Sequence, residues 1–212
     1  MNIYYAGGPA SGKSSVMQLL KSCTISSSVF FVEECFSSIL GKLPGEYRQR
    51  LTANNEDTNL LRQCLIAATQ VYVNQILFDT PYKNSRVVIQ DRGIWDLDVY
   101  LEKDQAQVVR NAFLTPEALT ASEGDLVLFF LLPEKPYDDP RVMSDRLENS
   151  FQEMKELEKR AITVWQQHSA PDRFKLIDAN YSSVSCKARD VAGIINSYLE
   201  YPVFDVDKLP VS

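Results

Sequence analysis

Several things are scarce in this chain, and each scarcity narrows what it can be. No apolar run reaches the roughly 18 residues that a membrane-spanning helix needs, and no charged stretch followed by an apolar one opens the sequence. A cytoplasmic location without a membrane partner is therefore expected. Basic excess is lacking as well. Lys and Arg number 22 against 28 Asp and Glu, for a net charge of -6, which argues against a broad footprint on duplex nucleic acid. A local cluster of Lys and Arg can still meet a small anion. The four cysteines, at 23, 35, 64 and 186, form no C-x-x-C pair, and His168 is the one histidine. Neither a disulfide framework nor zinc spacing results, so buried reduced thiols are expected. Internal repeats, low-complexity tracts and linkers are missing too. With 212 residues, one domain with a sizeable core is expected.

Glycine is also scarce, with eight residues, yet three of them stand in Gly7-Gly8-Pro9-Ala10-Ser11-Gly12-Lys13-Ser14. That stretch fits G-x-x-x-x-G-K-[ST], the phosphate-binding loop. It follows the short apolar run Asn2–Ala6, a candidate buried strand. It precedes Val16, Leu19 and Leu20 at helical spacing. Glycines let backbone N–H groups turn inward around phosphate oxygens, and a helix N-terminus adds partial positive charge. The expected nucleotide-binding set is Gly8, Pro9, Ala10, Ser11, Gly12, Lys13, Ser14 and Ser15. Lys13 reaches the β- and γ-phosphates and the Ser14 hydroxyl meets Mg²⁺.

Four more strands are predicted: Val29–Val32, Arg86–Asp91, Leu126–Leu132 and Phe174–Asp178. The run of seven apolar residues from Leu126 has no alternation, as in a central parallel strand buried on both faces. Helical patterns separate the strands. One begins near Asp57 or Thr58 with Leu61, Leu65, Ala68, Tyr72 and Ile76 on one face, widened by Leu60, Ala67, Val71 and Phe78 so that two sides pack; Arg62, Gln63 and Gln70 are expected on its inner face as polar candidates for substrate contact. Another covers 102–114 through Val108, Val109, Ala112 and Phe113. A long helix carries Leu147, Phe151, Met154, Ala161 and Trp165, and a last one runs from about Ser183 to Leu199. The pattern predicts an α/β fold, a five-stranded parallel sheet with helices on both faces. The domain is expected over residues 1–200, with a lid at about 133–150 and a tail at 201–212.

Chemistry-bearing residues collect at the C-terminal ends of these strands, where open α/β sheets bind ligands. Glu33-Glu34 ends the second strand, and one of the two is expected to orient or deprotonate an acceptor hydroxyl. Asp91 closes the third strand in the Walker B manner, placing a carboxylate near Mg²⁺. Arg92 can fork onto a phosphate or the substrate. Arg141 and Arg146, at a loop–helix junction, are expected to close over the transferring group.

With these residues in view, the chain resembles P-loop kinases of the thymidylate kinase and deoxynucleoside kinase branch. Asp91-Arg92-Gly93, followed by Asp96 and Tyr100, is similar to the Asp-Arg signature of thymidylate kinases. It is closer still to small ATPases related to ribosylnicotinamide kinases. Leu176-Ile177-Asp178-Ala179 resembles the last strand of thymidylate kinases, and the resemblance implies that Ala179 lies near the adenine. Val32-Glu33-Glu34-Cys35 departs from the Arg-Glu-Pro of thymidylate kinases. It resembles deoxynucleoside kinases in carrying a Glu as base, which favours a hydroxyl acceptor, oriented or deprotonated by Glu34 or Glu33. The expected activity is ATP- and Mg²⁺-dependent transfer of a phosphoryl group to a nucleoside or nucleoside monophosphate, by Lys13, Glu34, Asp91, Arg92, Arg141 and Arg146. A homodimer is one expected assembly. The rival readings are a kinase for another nucleoside-like acceptor, such as nicotinamide riboside or a modified base, and a nucleotide-binding switch with slow hydrolysis. The chain lacks the Asn-Lys-x-Asp expected of a GTPase.

Overall fold

A computed structural model describes residues 1–8, 11–33, 41–52, 56–78, 87–114, 125–134 and 150–210. Within them lie five strands: β1 (Asn2–Ala6), β2 (Val29–Val32), β3 (Val87–Asp91), β4 (Leu126–Phe130) and β5 (Phe174–Ile177). Seven α-helices accompany them: α1 (Lys13–Cys23), α2 (Gly45–Thr52), α3 (Glu56–Phe78), α4 (Asp96–Tyr100), α5 (Lys103–Phe113), α6 (Phe151–Gln167) and α7 (Val184–Ser197). The strands form one sheet in the order β2-β3-β1-β4-β5, every neighbour parallel. This is the α/β fold that the strand pattern predicts.

Burial follows position in the sheet. The central strands β3 and β4 are buried at every residue, and the edge strands β2 and β5 are largely half-buried. On one face Ile3, Tyr5, Ile89, Leu128 and Phe130 pack against Val16, Met17 and Leu20 of α1 and Ala188, Val191 and Ile195 of α7. On the other, Tyr4, Ala6, Val127 and Phe129 pack against Val99 of α4 and Ala161 and Trp165 of α6. Alternating strand residues point to opposite faces, so a five-residue strand serves both cores. The first crossover, β1 to β2, runs over one face, and those from β3 and β4 run over the other. The crevice between the ends of β1 and β3 is therefore the switch point where ligands bind in such sheets.

Two helices carry polar side chains inward. On α3, Leu61 and Tyr72 are 58% and 64% exposed, whereas Arg62, Gln63, Ile66, Ala67 and Gln70 are buried. The polar residues expected on the inner face are inside, while Leu61 and Tyr72 stand on the outside and Leu65 and Ala68 are half-buried. On α5, Val108 and Ala112 are exposed, and Ala106, Val109 and Arg110 are the buried residues. Arg110 can be inside because Asp98 of α4 pairs with its guanidinium. The residues after 200 have no sequence period, yet Val203, Phe204 and Leu209 are buried in the α1–α7 core. Asn196 holds them there, accepting from the N–H groups of Val203 (2.9 Å) and Phe204 (3.2 Å) and donating to the Phe204 carbonyl (3.0 Å).

The start of β1 is tied to β4 by Asp125, whose carboxylate accepts from Asn2 N and Asn2 Nδ2, both at 3.0 Å. Burial pushes the Asp125 pKa up, opposed by the Asn2 hydrogen bonds. The native state thus binds this proton more tightly than the unfolded chain does. The stability from this group is full below the ordinary aspartate pKa, about 4, and is lost as pH rises through the raised native value. Asp125→Asn should flatten that decline, at a cost of about 1 kcal/mol for the hydrogen bond it weakens. Urea midpoints measured between pH 4 and pH 7 test this; a parallel decline in the variant assigns the pH dependence elsewhere.

Candidate active site on the rim of β1 and β3

The loop leaving β1 needs glycine for steric reasons. Gly7 has φ +118°, and a Cβ there would lie 2.3 Å from the Phe130 carbonyl oxygen. Gly12, the N-cap of α1, has φ +89°. The loop can therefore lie flat on β4 and turn sharply into the helix. Lys13 Nζ donates to the carbonyls of Gly7 and Gly8, both at 2.9 Å, and to Ser11 Oγ at 3.3 Å, so its ammonium spans the loop. No side chain caps α1, and its first N–H groups face the position where an anion is stabilised. Pro9 and Ala10 lie outside the described residues. Ser15 is exposed beside Ser14 at the start of the helix.

Strand register brings the second element to this loop. Tyr5 pairs with Asp91, and the Arg92 N–H donates to the Tyr5 carbonyl at 3.1 Å. Asp91 thus projects on the same face as α1, and its Oδ2 lies 3.4 Å from the Ser14 hydroxyl. A buried carboxylate beside a hydroxyl is a hard-oxygen pair suited to Mg²⁺, which keeps most of its waters and binds one or two protein oxygens.

Beyond Asp91 the backbone turns abruptly. Arg92 has φ 74°, the one left-handed non-glycine residue among those described, at a cost of about 1–2 kcal/mol. Its guanidinium sits 4.9 Å from the Tyr100 ring centroid. Gly93 is wedged: a Cβ would meet Trp165 Cη2 at 2.5 Å and Tyr4 Cδ1 at 2.8 Å. Asp96 fastens the turn, one oxygen accepting from Trp165 Nε1 (2.9 Å) and the other from Gly93 N (3.3 Å). Burial raises the Asp96 pKa, and the charges of Arg92 and Lys13 act against it. The sequence pairs Asp96 with Tyr100 across one helical turn; the partner it holds, Trp165, is distant in the chain, which no local spacing reveals.

The consecutive glutamates divide. Glu33 is exposed and held on the outside of α1, ion-paired with Lys21 and accepting from Gln18 Nε2 at 2.8 Å. The Lys21 ammonium lowers its pKa. Glu34, Arg141 and Arg146 lie outside the described residues. At the far end of the rim, Ala179 is half-buried after β5, and its carbonyl accepts from Tyr181 N at 3.1 Å.

Sequence reasoning missed the anchor at the root of the expected lid. Leu132, two residues after β4, donates its N–H to Glu158, and its carbonyl accepts from Lys155 Nζ at 3.0 Å. Lys155 and Glu158 pair at 3.0 Å on α6, and Leu132 Cδ1 would be 3.3 Å from a Cβ on Gly8. The i,i+3 spacing of Lys155 and Glu158 was the available signal. It reads equally well as a solvated surface pair.

The comparisons with known proteins agree with this geometry. A family model described as AAA domain matches residues 2–178. The chain belongs to that family. Among solved structures this AAA-domain chain is similar to thymidylate kinase from Candida albicans, at 17% identity and TM-score 0.53 over 93% of this chain and 91% of that one. Thymidylate kinase from Ehrlichia chaffeensis matches at 13% identity and TM-score 0.57, over 92% and 98% of the two chains. Deoxyadenosine kinase from M. mycoides, solved with dCMP and dCDP, matches at 15% identity and TM-score 0.59, over 93% and 100%. The AAA-domain chain thus has the fold of these P-loop kinases. No curated protein matches it.

Two glycine substitutions should have opposite signs. Gly93→Ala drives a methyl into Trp165 and Tyr4 and should destabilise by about 1–3 kcal/mol. Gly193→Ala, inside α7 with nothing within 4 Å of the added methyl, should be neutral or stabilising by up to about 1 kcal/mol. Chemical denaturation measures both. Equal effects would mean that Gly93 is not a packing wedge.

Proposed function

We propose that this protein is an ATP- and Mg²⁺-dependent phosphotransferase acting on a nucleoside or nucleoside monophosphate. The observation that carries this reading is the polar inner side of α3, which packs against α4 and α5. Gln63 and Gln70 are buried, and neither side-chain amide hydrogen-bonds to a described residue. Gln90 of β3 is buried as well, its Nε2 without a partner. Asn59 Nδ2 donates to the Tyr100 carbonyl at 2.7 Å, which ties α3 to the helix on whose Tyr100 ring Arg92 rests. Buried amides with unspent donors and acceptors are costly as scaffold. They suit the edge of a heterocyclic base, which offers both donors and acceptors.

In this reading the loop amides and Lys13 hold the triphosphate, with Ala179 beside the adenine. Ser14 and Asp91 are the residues that would hold Mg²⁺. When bound, the ion would neutralise charge on the β- and γ-phosphates. Arg92 grips the acceptor or the transferring group, and Arg141 and Arg146 close over it. Glu34 orients the acceptor hydroxyl or receives its proton, since Glu33 is already engaged by Lys21 and Gln18. Catalysis is then mostly positioning and charge stabilisation. Among the described residues no helix is long and apolar enough to cross a membrane, and a cytoplasmic location fits a soluble nucleotide pool.

An acceptor screen with labelled ATP, read by mass spectrometry, tests the proposal. A nucleoside or its monophosphate should be phosphorylated. Glu34→Gln should lower turnover by about 10²–10⁴-fold with little change in ATP KM, and Glu33→Gln should leave turnover unchanged. Slow hydrolysis that needs no acceptor and survives Glu34→Gln would instead mark a nucleotide switch.

The acceptor contact has its own test. Gln63→Leu should raise the acceptor KM by roughly tenfold, the loss of one buried hydrogen bond, with ATP KM unchanged. Steady-state kinetics with each substrate varied in turn measures both; an unchanged acceptor KM removes Gln63 from the acceptor site.

A further inference from the structure

Lys187 stands in the second turn of α7, on the face that carries Val191 and Ile195 into the core. It is 7% exposed. Its ammonium donates to the Ser11 carbonyl at 3.4 Å and lies 6.0 Å from the Phe130 ring centroid and 5.4 Å from that of Tyr181. A Cβ on Gly12 would be 3.9 Å from this nitrogen. The ammonium makes no other hydrogen bond to a described residue. Three ammonium donors with one long hydrogen bond and two ring faces are a poor exchange for water. Burial accordingly lowers the Lys187 pKa, with Asp178 acting the other way. As scaffold alone, a methionine would serve better at this position.

What the ammonium touches gives it another use. In a trans peptide the C=O and the next N–H point in opposite directions. The Ser11 carbonyl is drawn toward Lys187 of α7, so the Gly12 N–H of the same peptide points away from α7. Gly12 has φ +89°, and glycine populates both signs of φ with little cost. The Ser11–Gly12 peptide can therefore flip unless something outside the loop holds it. A flipped peptide presents a carbonyl oxygen to the phosphates in place of an N–H.

We propose that Lys187 is a positioning residue for the nucleotide: through the Ser11 carbonyl it locks the Ser11–Gly12 peptide with its N–H directed at the bound phosphates. This rests on the phosphate site of the proposed function, so the test separates the two. Binding of MgATP and of inorganic tripolyphosphate is measured by calorimetry, and the melting temperature is taken without ligand. Lys187→Met should melt no lower than the unsubstituted protein. It should bind both ligands at least tenfold more weakly, by the same factor, because the contact serves phosphate and not the base. Lys187→Gln keeps one donor and should fall between the two; if the Met variant does not fold, the same two readings on Lys187→Gln decide. Lys13→Met is the control for the phosphate site. If it loses binding while Lys187→Met binds within twofold of the unsubstituted protein, the site stands and the role of Lys187 is overturned. A Lys187 variant that weakens ATP but not tripolyphosphate also overturns it, as does one whose affinity and ligand-free melting temperature fall together. Failure of the unsubstituted protein to bind either ligand overturns both readings.

Discussion

The site depends on where the β1–β3 ladder ends. Its last rung is the hydrogen bond from Arg92 N–H to the Tyr5 carbonyl. Past that rung both strands leave the sheet at the same height, one into the glycine loop and the other into the left-handed turn at Arg92. Parallel register makes this possible, because Tyr5 stands opposite Asp91. A slip of one residue would send the Asp91 carboxylate to the α6 face and away from Ser14. Slippage is opposed at the other end of β1 by Asp125, whose two oxygens take both donors of Asn2. The apolar residues on both faces do the rest, since either core would be turned inside out.

Buried charge in this protein is spent on backbone groups and turns. Glu158 and Lys155 hold the two backbone groups of Leu132. Asp96 holds the turn after Arg92, with help from Trp165. Lys187 holds a loop carbonyl. Replacing such groups with apolar ones often leaves stability unchanged or raises it. Their common feature here is position, since each borders the rim where β1, β3 and β4 end. In the proposed phosphate site, fixing backbone direction would matter more to the ligand than to the fold, because an anion there would be read by N–H groups whose orientation sets their field.

Most of the sheet was legible in the sequence because its strands are short apolar runs buried on both faces, and the chain offers few competing runs. The loop from Gly7 to Ser14 and the Asp91-Arg92-Gly93 turn were legible for another reason: backbone geometry there demands particular residue types. The α3 face was legible in part. Arg62, Gln63 and Gln70 turn inward as expected, whereas periodicity also draws Leu61 and Tyr72 into the apolar stripe and both are exposed. Lys187 could have been suspected, because it stands four residues before Val191 and eight before Ile195 on an apolar stripe. Nothing local, however, points to Ser11. Asp96 with Trp165, and Asn196 with the residues after 200, are likewise pairings that only the folded chain brings together.

The two halves of the rim differ in what encodes them. The phosphate half is largely backbone: the φ values of Gly7 and Gly12, the close approach of Gly7 to Phe130, and the open N-terminus of α1. Such a half needs only a few glycines, a Lys and a Ser, and it can persist while other positions change. That is consistent with a shared fold at 13–17% identity. The other half is made of side chains on α3, β3 and α4, where one substitution alters a donor or an acceptor without disturbing the sheet. A likeness in fold therefore carries more weight for phosphate handling than for the choice of acceptor. Under the proposed function, selectivity for the acceptor should reside in the buried amides of α3, where a change of side chain leaves the phosphate loop and the sheet as they are.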